Sequence, residues 1–170
     1  MNKVLFLVTF LVSSVVNAAN FQVNGPCEVH FSPDGGAEKA IVKLIDGAHT
    51  KIHVLAYSFT SKPIANALIA AKQRGVDVNI VLDRSQPTAR GGQMQTVMAA
   101  GIPVWVDSKH AIAHNKVVLV DGDIFETGSF NFTYSAEHRN GENALICPST
   151  EGYNMYFNNW TLHQSHSVRQ

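Results

Sequence analysis

The sequence is short of cysteine and of net charge, and it has no long apolar run after its first residues. Lys plus Arg number 13 and Asp plus Glu also number 13, so the chain carries no overall basic field. Internal repeats and low-complexity linkers are absent as well, and the composition is that of a globular protein rather than a disordered or fibrous one. The sequence therefore predicts one compact domain.

The near-neutral charge limits how this chain can bind nucleic acid. Phosphate neutralisation by Lys and Arg supplies most of the non-specific affinity, so binding would depend on local cationic clusters. The alternative for each cation is an ordinary solvated surface charge. The candidates are Lys72, Arg74, Arg84, Arg90, Lys109 and Arg139.

The one apolar run lies at the start of the sequence. A basic Met1–Lys3 precedes apolar Val4–Val12, and small residues follow up to Ala19. This pattern predicts a cleaved signal peptide over 1–18 and a single domain over 19–170. A membrane anchor is the alternative, but the run is shorter than the roughly 20 residues that a spanning helix needs. We therefore expect a periplasmic or secreted protein with no membrane span after cleavage.

The two cysteines, Cys27 and Cys147, lie near the two ends of the predicted domain. An oxidising compartment favours a disulfide between them. Two separately buried thiols remain the alternative, because a sequence gives no distance between the sulfur atoms.

Hydrophobic periodicity predicts strands alternating with helices in the first part of the chain, and short strands without helices later. This order predicts an α/β fold with a mixed, largely parallel sheet flanked by helices. Aromatic residues at helical spacing in the last segment are expected to pack on the core. The predicted helices are 37–48, 63–75, 92–100 and 151–163, and the predicted strands are 27–31, 51–57, 76–82, 102–106, 116–120, 124–127 and 143–146.

The stretch around residues 114–131 carries the chemistry. Side chains alternate along a strand, so His114 and Lys116 are expected on one face. Phosphoryl transfer needs such a pairing of an attacking or proton-moving group with a cation that offsets growing charge. Ser129 and Asn131 are also two residues apart and offer hydrogen-bond donors. All four side chains suit an anionic phosphate.

These residues form a recognisable pattern. The sequence resembles the phospholipase D superfamily, in its small single-motif nuclease branch, at each fixed position of the signature. Further similarity extends through 56–60, 74–78 and 142–144. The signature positions are His114, Lys116, Asp121, Gly128, Ser129 and Asn131.

The resemblance implies a metal-independent, two-step displacement without a cofactor. His114 would attack phosphorus and form a phosphohistidine, which water then hydrolyses. Lys116, with Ser129 and Asn131, would bind the phosphate. Larger family members carry two motifs, so a chain with one motif is expected to act as a homodimer with a shared active site.

Two acidic residues are assigned different roles. Glu142 matches the family residue that orients the nucleophilic histidine, because a carboxylate that accepts one ring N–H leaves the other nitrogen free to attack. Asp121 lies at odd spacing from His114, on the opposite strand face, and is expected to be structural. Gly128 is likewise expected to be structural.

Other histidines are predicted to have no part in the chemistry. Asp107, His110 and His114 suggest a metal site by their spacing, but no helix is expected there to bring them together, so no metal site is predicted. His163 and His166 are expected to be solvated tail residues.

Three functions remain open. The first is a non-specific endonuclease acting on DNA and possibly RNA. The second is a phospholipase D-type phospholipid hydrolase, which needs an exposed apolar docking element. Phe130 and Phe132 are the candidates for it at a pocket mouth. The third is a silent binding module, and the intact motif argues against it.

Overall fold

The computed structural model describes residues 19–170, and the predicted signal segment lies outside the described residues. Strands and helices alternate in the first part of the chain; later, one tight turn joins two consecutive strands, and helices lie in the other connections except one loop. The elements are β1 Glu28–Ser32, α1 Ala37–Asp46, β2 Lys51–Ala56, α2 Lys62–Gln73, β3 Asp77–Asp83, α3 Met94–Ala99, β4 Val104–Asp107, β5 Lys116–Val120, β6 Ile124–Gly128, α4 Tyr134–His138, β7 Glu142–Pro148, α5 Thr150–Ser165 and β8 Val168–Arg169.

All eight strands form one sheet in the order β1-β7-β6-β5-β2-β3-β4-β8. The predicted mixed sheet flanked by helices is confirmed. The expectation that the sheet is largely parallel is wrong, because only β2–β3 and β3–β4 are parallel pairs and the other five pairs are antiparallel. For β5 and β6 the cause is local, because Asp121 and Gly122 have positive φ and make the tight turn that joins these two strands. Such turns connect only antiparallel neighbours.

Helices cover both faces of the sheet. α1, α2 and α3 pack on one face, over strand residues such as Ile52 and Val54. α5 packs on the other face, where Tyr153 and Trp160 contact Leu55 and other residues of the central strands. Alternate residues of one strand therefore belong to different core layers, as the pleat requires.

Local sequence explains several of these elements. The Ser61 side chain accepts a hydrogen bond from the Ile64 N–H and caps α2, and Pro63 lies in its first turn. Every residue of β5 is buried, as expected of a central strand. α4 and β8 were not predicted, because elements of 5 and 2 residues are too short to show a period.

The disulfide question is resolved by the fold. Cys27 directly precedes β1 and Cys147 lies in β7, the strand that pairs with β1. Their Cα atoms are 4.3 Å apart and the two sulfurs are bonded. Between Ala19 and Gln170, the helices are all too short or too polar to cross a bilayer.

Candidate active site

The candidate site lies where four strands end at one edge of the sheet. Antiparallel pairing places the start of β5 beside the end of β2, with Lys116 opposite Ala56. It also places the end of β6 beside the start of β7, with Gly128 opposite Ala144. Residues far apart in sequence therefore meet at this edge, which carries all the predicted site residues except Asp121.

His114 and Lys116 share a contact with Tyr57, which directly follows β2. The His114 ring lies with its centre 4.6 Å from the Tyr57 ring centre, and the Lys116 ammonium is 5.3 Å from the same ring. The Lys116 Nζ also donates a hydrogen bond of 2.8 Å to the carbonyl oxygen of His114. His114 itself is exposed. An imidazole accessible to substrate thus stands next to a fixed cation.

The backbone around His114 is held from two sides. The Tyr57 N–H donates to the carbonyl of Asn115, which fixes the end of β2 against the start of β5. The buried Asp83 carboxylate accepts a 2.7 Å hydrogen bond from the N–H of Ala113. Sequence reasoning missed Tyr57 and Asp83 as site residues, because their contacts join different strands and leave no local pattern.

Lys116 is almost fully buried, with 4% of its surface exposed. Burial lowers the pKa of its ammonium, and the negative charge of Glu142 nearby partly opposes this change. A cation desolvated in this way interacts more strongly with a phosphate than a solvated lysine does.

Ser129 and Asn131 follow β6 beside the start of β7. The Ser129 hydroxyl accepts hydrogen bonds from the backbone N–H and the side-chain amide of Asn143. The buried Asn131 Oδ1 has no partner among the described residues. Gly128 is required by space, since a Cβ there would overlap the Asn143 carbonyl. The side chains of Ser129 and Asn131 thus supply polar groups at the same edge as His114.

Glu142 lies at the first position of β7, but its side-chain hydrogen bond is not with His114. Its Oε1 accepts a 3.0 Å hydrogen bond from the Asn140 side chain, and no hydrogen bond to the His114 ring occurs among residues 19–170. Its charge acts on Lys116 instead. The orienting role of Glu142 stays a prediction.

Asp121 lies at the other end of β5, away from His114. Its carboxylate accepts hydrogen bonds from the backbone N–H groups of His49, Thr50 and Lys51 and from the Thr50 hydroxyl. These bonds outweigh the effect of burial and lower the pKa of Asp121. Its contacts are those of a residue that fixes the start of β2.

The candidate cations divide between the two ends of the sheet. Arg84 and Lys109 are exposed just after the ends of β3 and β4, and Arg139 is exposed shortly before β7, all at the His114 edge. Arg74 lies at the opposite edge, where its guanidinium donates to the carbonyls that end α1. Lys72 is in the last turn of α2, also at that opposite edge. Arg90 is exposed in the loop before α3.

Two expectations outside the motif are wrong. Phe130 and Phe132 are fully buried in the core and do not line a pocket mouth, because both side chains pack under α4 and the loop after β2. His163 and His166 are not solvated tail residues, since α5 and the turn after it bring both rings onto the buried Asp107.

The family comparison supports the motif. A family model described as cardiolipin synthase, PLD-like domain, matches residues 41–160. A protein named phospholipase D from Rickettsia felis is 41% identical over 130 residues, which cover 76% of this chain and 65% of the relative. The chain thus spans just under two thirds of the length of that relative.

Solved structures give the same result. The phospholipase D family member Nuc from Salmonella typhimurium superimposes with a TM-score of 0.82 at 38% identity, covering 85% of this chain and 97% of that chain. NucT from Helicobacter pylori has a TM-score of 0.74 at 20% identity, a likeness of fold alone. With its family-model match over 41–160 and its signature residues other than Asp121 gathered at one sheet edge, this chain belongs to the phospholipase D-like domain family.

Proposed function

We propose that this protein is a metal-independent phosphodiesterase that acts as an endonuclease with little preference for nucleic-acid sequence. The observation that carries the proposal is the exposed His114 imidazole beside buried Lys116, with both side chains in contact with the Tyr57 ring. The similarity to Nuc over nearly its whole chain supports the nuclease assignment.

The reaction has two steps. A ring nitrogen of His114 attacks phosphorus, a P–N bond forms, and the bond from phosphorus to the leaving oxygen breaks. Lys116 holds non-bridging oxygens and offsets the charge that grows on them, with Ser129 and Asn131 as hydrogen-bonding groups. Water then attacks the phosphohistidine, the P–N bond breaks, and the phosphate product leaves.

One chain supplies half of this chemistry. The leaving oxygen needs a proton and the attacking water must lose one, so a second acid–base group is required. The motif occurs once in the chain. We assign the second role to His114 of the partner subunit in a symmetric homodimer, where one imidazole starts neutral and the other protonated.

The surroundings of His114 support nucleic acid as substrate. Arg84, Lys109 and Arg139 are exposed at the same edge and would contact phosphates along a strand. With only a few such cations in a near-neutral chain, we expect weak binding that falls steeply with salt. The Cys27–Cys147 disulfide supports an oxidising location, the periplasm or the medium.

Plasmid nicking in excess chelator tests the mechanism. Wild-type protein is expected to convert supercoiled plasmid to the open circle with EDTA present. His114→Asn removes the nucleophile and should lower the rate by at least about 10³-fold while leaving the circular dichroism spectrum unchanged. Wild-type enzyme denatured in alkali during turnover should carry the phosphoryl end of a cleaved DNA strand on His114, because the P–N bond survives alkali but not acid. Mass spectrometry after digestion of the attached DNA should detect this adduct.

His49→Asn is the matched control, because His49 is also exposed but lies at the opposite edge of the sheet. It should nick as fast as the wild type. A wild-type enzyme that nicks DNA only with added divalent metal would contradict the metal-independent mechanism.

Phospholipid hydrolysis is the second candidate, and the Rickettsia relative named phospholipase D favours it. The burial of Phe130 and Phe132 removes the docking element predicted for a lipid enzyme. Duplex DNA, single-stranded DNA, RNA and phospholipid vesicles, compared in EDTA, distinguish the two. Turnover of vesicles with intact nucleic acids would replace the nuclease assignment.

A further inference from the structure

A histidine cluster lies at the same sheet edge as His114 but takes no part in the proposed chemistry. Asp107 ends β4, His110 follows it in the loop to β5, His163 is in α5, and His166 directly follows α5. One potential ligand atom from each of the four lies within 4.8 Å of the others. The packing of α5 on the sheet thus brings together residues that are more than fifty positions apart in the sequence.

The contacts converge on a single oxygen. Asp107 Oδ2 lies 2.8 Å from Nδ1 of His110, 2.6 Å from Nδ1 of His163 and 3.2 Å from Nε2 of His166. A carboxylate oxygen has about two lone pairs for hydrogen bonds, so three imidazoles exceed its ordinary capacity. More imidazole nitrogens therefore surround this oxygen than hydrogen bonding to it can account for.

The spacing fits a tetrahedral ion. Zinc bonds of about 2.0–2.1 Å hold ligand atoms about 3.3 Å apart, and they place coordinated imidazole centres about 5 Å apart. The ring centres of His110, His163 and His166 are 4.7, 5.2 and 5.6 Å from one another. Small outward movements of the nitrogens from the Asp107 oxygen would open a space for the ion.

The carboxylate is already oriented. Asp107 is fully buried, and its Oδ1 accepts a 2.9 Å hydrogen bond from the backbone N–H of Lys109. This bond leaves Oδ2 directed at the imidazoles, an example of the outer contacts that fix metal ligands. The His110 side chain is 44% exposed, so an ion can reach the cluster from solvent.

We propose that Asp107, His110, His163 and His166 form a structural site for a divalent transition-metal ion of the Zn²⁺ class. Three imidazoles and one carboxylate suit zinc, whereas magnesium and calcium prefer oxygen ligands. With four protein ligands the ion has no open position for substrate. It would join α5 to the loop that leads into His114, four residues after His110.

Metal analysis of untagged protein tests the site. After treatment with EDTA and dialysis against Zn²⁺, mass spectrometry of the metals should find one zinc per chain. Free zinc at about 100 times its dissociation constant should raise Tm by roughly 5–10 °C, and equal Mg²⁺ or Ca²⁺ should not. Co²⁺ in place of zinc should give the visible absorption bands of tetrahedral cobalt.

His110→Ala and His166→Ala each remove one ligand and should weaken zinc binding at least about 100-fold. His49→Ala is the control, because His49 is exposed and lies outside the cluster. The metal-free variants should have the same circular dichroism spectrum as metal-free wild type. Equal zinc content in wild type and the His110→Ala/His166→Ala double variant, or a Tm that zinc does not change, would overturn the site.

The site does not depend on the proposed function. His114→Asn should bind zinc like the wild type, and zinc-free wild type should still nick DNA at temperatures below its Tm. Zinc-free protein that is folded but inactive would contradict the metal-independent reaction. The zinc content per chain, which is measured separately, would still decide whether the zinc site exists.

Discussion

Two buried ionisable residues on neighbouring strands of this protein have different surroundings. Lys116 and Glu126 are both buried on neighbouring strands, yet Lys116 has partners and the Glu126 carboxylate has no hydrogen-bonded partner among the described residues. Burial raises the pKa of Glu126 well above its usual range, and the Val118 N–H on the neighbouring strand, which is too poorly placed to form a hydrogen bond with the carboxylate, only partly opposes this effect. The fold therefore disfavours the charged form of Glu126 relative to the unfolded chain.

The consequence is a pH-dependent cost at Glu126. The folded pKa exceeds the unfolded one, so the stability contribution is present at low pH and is lost as pH rises above the unfolded value. Glu126→Gln should raise the free energy of unfolding by about 1–3 kcal/mol at pH 8 and have little effect at pH 4.5. Urea unfolding at both pH values measures this, with exposed Glu28→Gln as control. A larger gain at pH 4.5 than at pH 8 would contradict a raised pKa for Glu126.

At the scale of the elements, α5 packs against β2 around a buried histidine. His53 on β2 packs against the rings of Phe157 and Trp160, with the Tyr153 hydroxyl 3.4 Å from its Nδ1. Burial lowers the pKa of His53 to about 4; the charge of Asp77 opposes this and that of Lys51 adds to it. The interface thus requires a neutral imidazole.

Acid should weaken this interface. The folded pKa lies below the unfolded value near 6.5, so the stability is present above pH 6.5 and is lost as pH falls towards 4. His53→Leu should remove about 3 kcal/mol of this pH dependence between pH 7 and 4. Urea unfolding of the variant and the wild type isolates His53, because other acid-sensitive groups cancel in the difference. Parallel stability–pH curves for the two proteins would exclude the effect.

The elements also show what the sequence can predict. The β-branched run of β5 and the Ser61 and Pro63 signals of α2 are local, and each marks its element closely. The antiparallel direction of β5 and β6 was missed because it depends on the turn at Asp121 and Gly122, and that of the other antiparallel pairs was missed because it depends on tertiary packing rather than on apolar pattern. The position of His163 was missed because its partner, Asp107, is 56 residues away and only tertiary packing joins them. The motif residues were predictable, but the support from Tyr57 was not.

At the scale of the whole molecule, the candidate site lies at an exposed edge of the sheet. His114 is exposed, and Ile112 and Tyr134 near this edge are 56% and 61% exposed. Large apolar groups exposed beside a catalytic edge are typical of a surface that another molecule covers. A second copy of the chain, related by a two-fold axis, would cover these exposed groups with the same groups of its own surface and bring two His114 residues together.

Mixed dimers test whether two chains share one site. Wild-type and His114→Asn chains, carrying different tags without histidine, are co-expressed and purified over both tags in sequence. Loss of one acid–base group should lower the activity of such a mixed dimer at least about 100-fold below that of the wild-type dimer. A mixed dimer with His49→Asn in one chain should keep full activity. If each chain instead held a complete site, the mixed dimer would retain about half of the activity, because one intact subunit would work unaided.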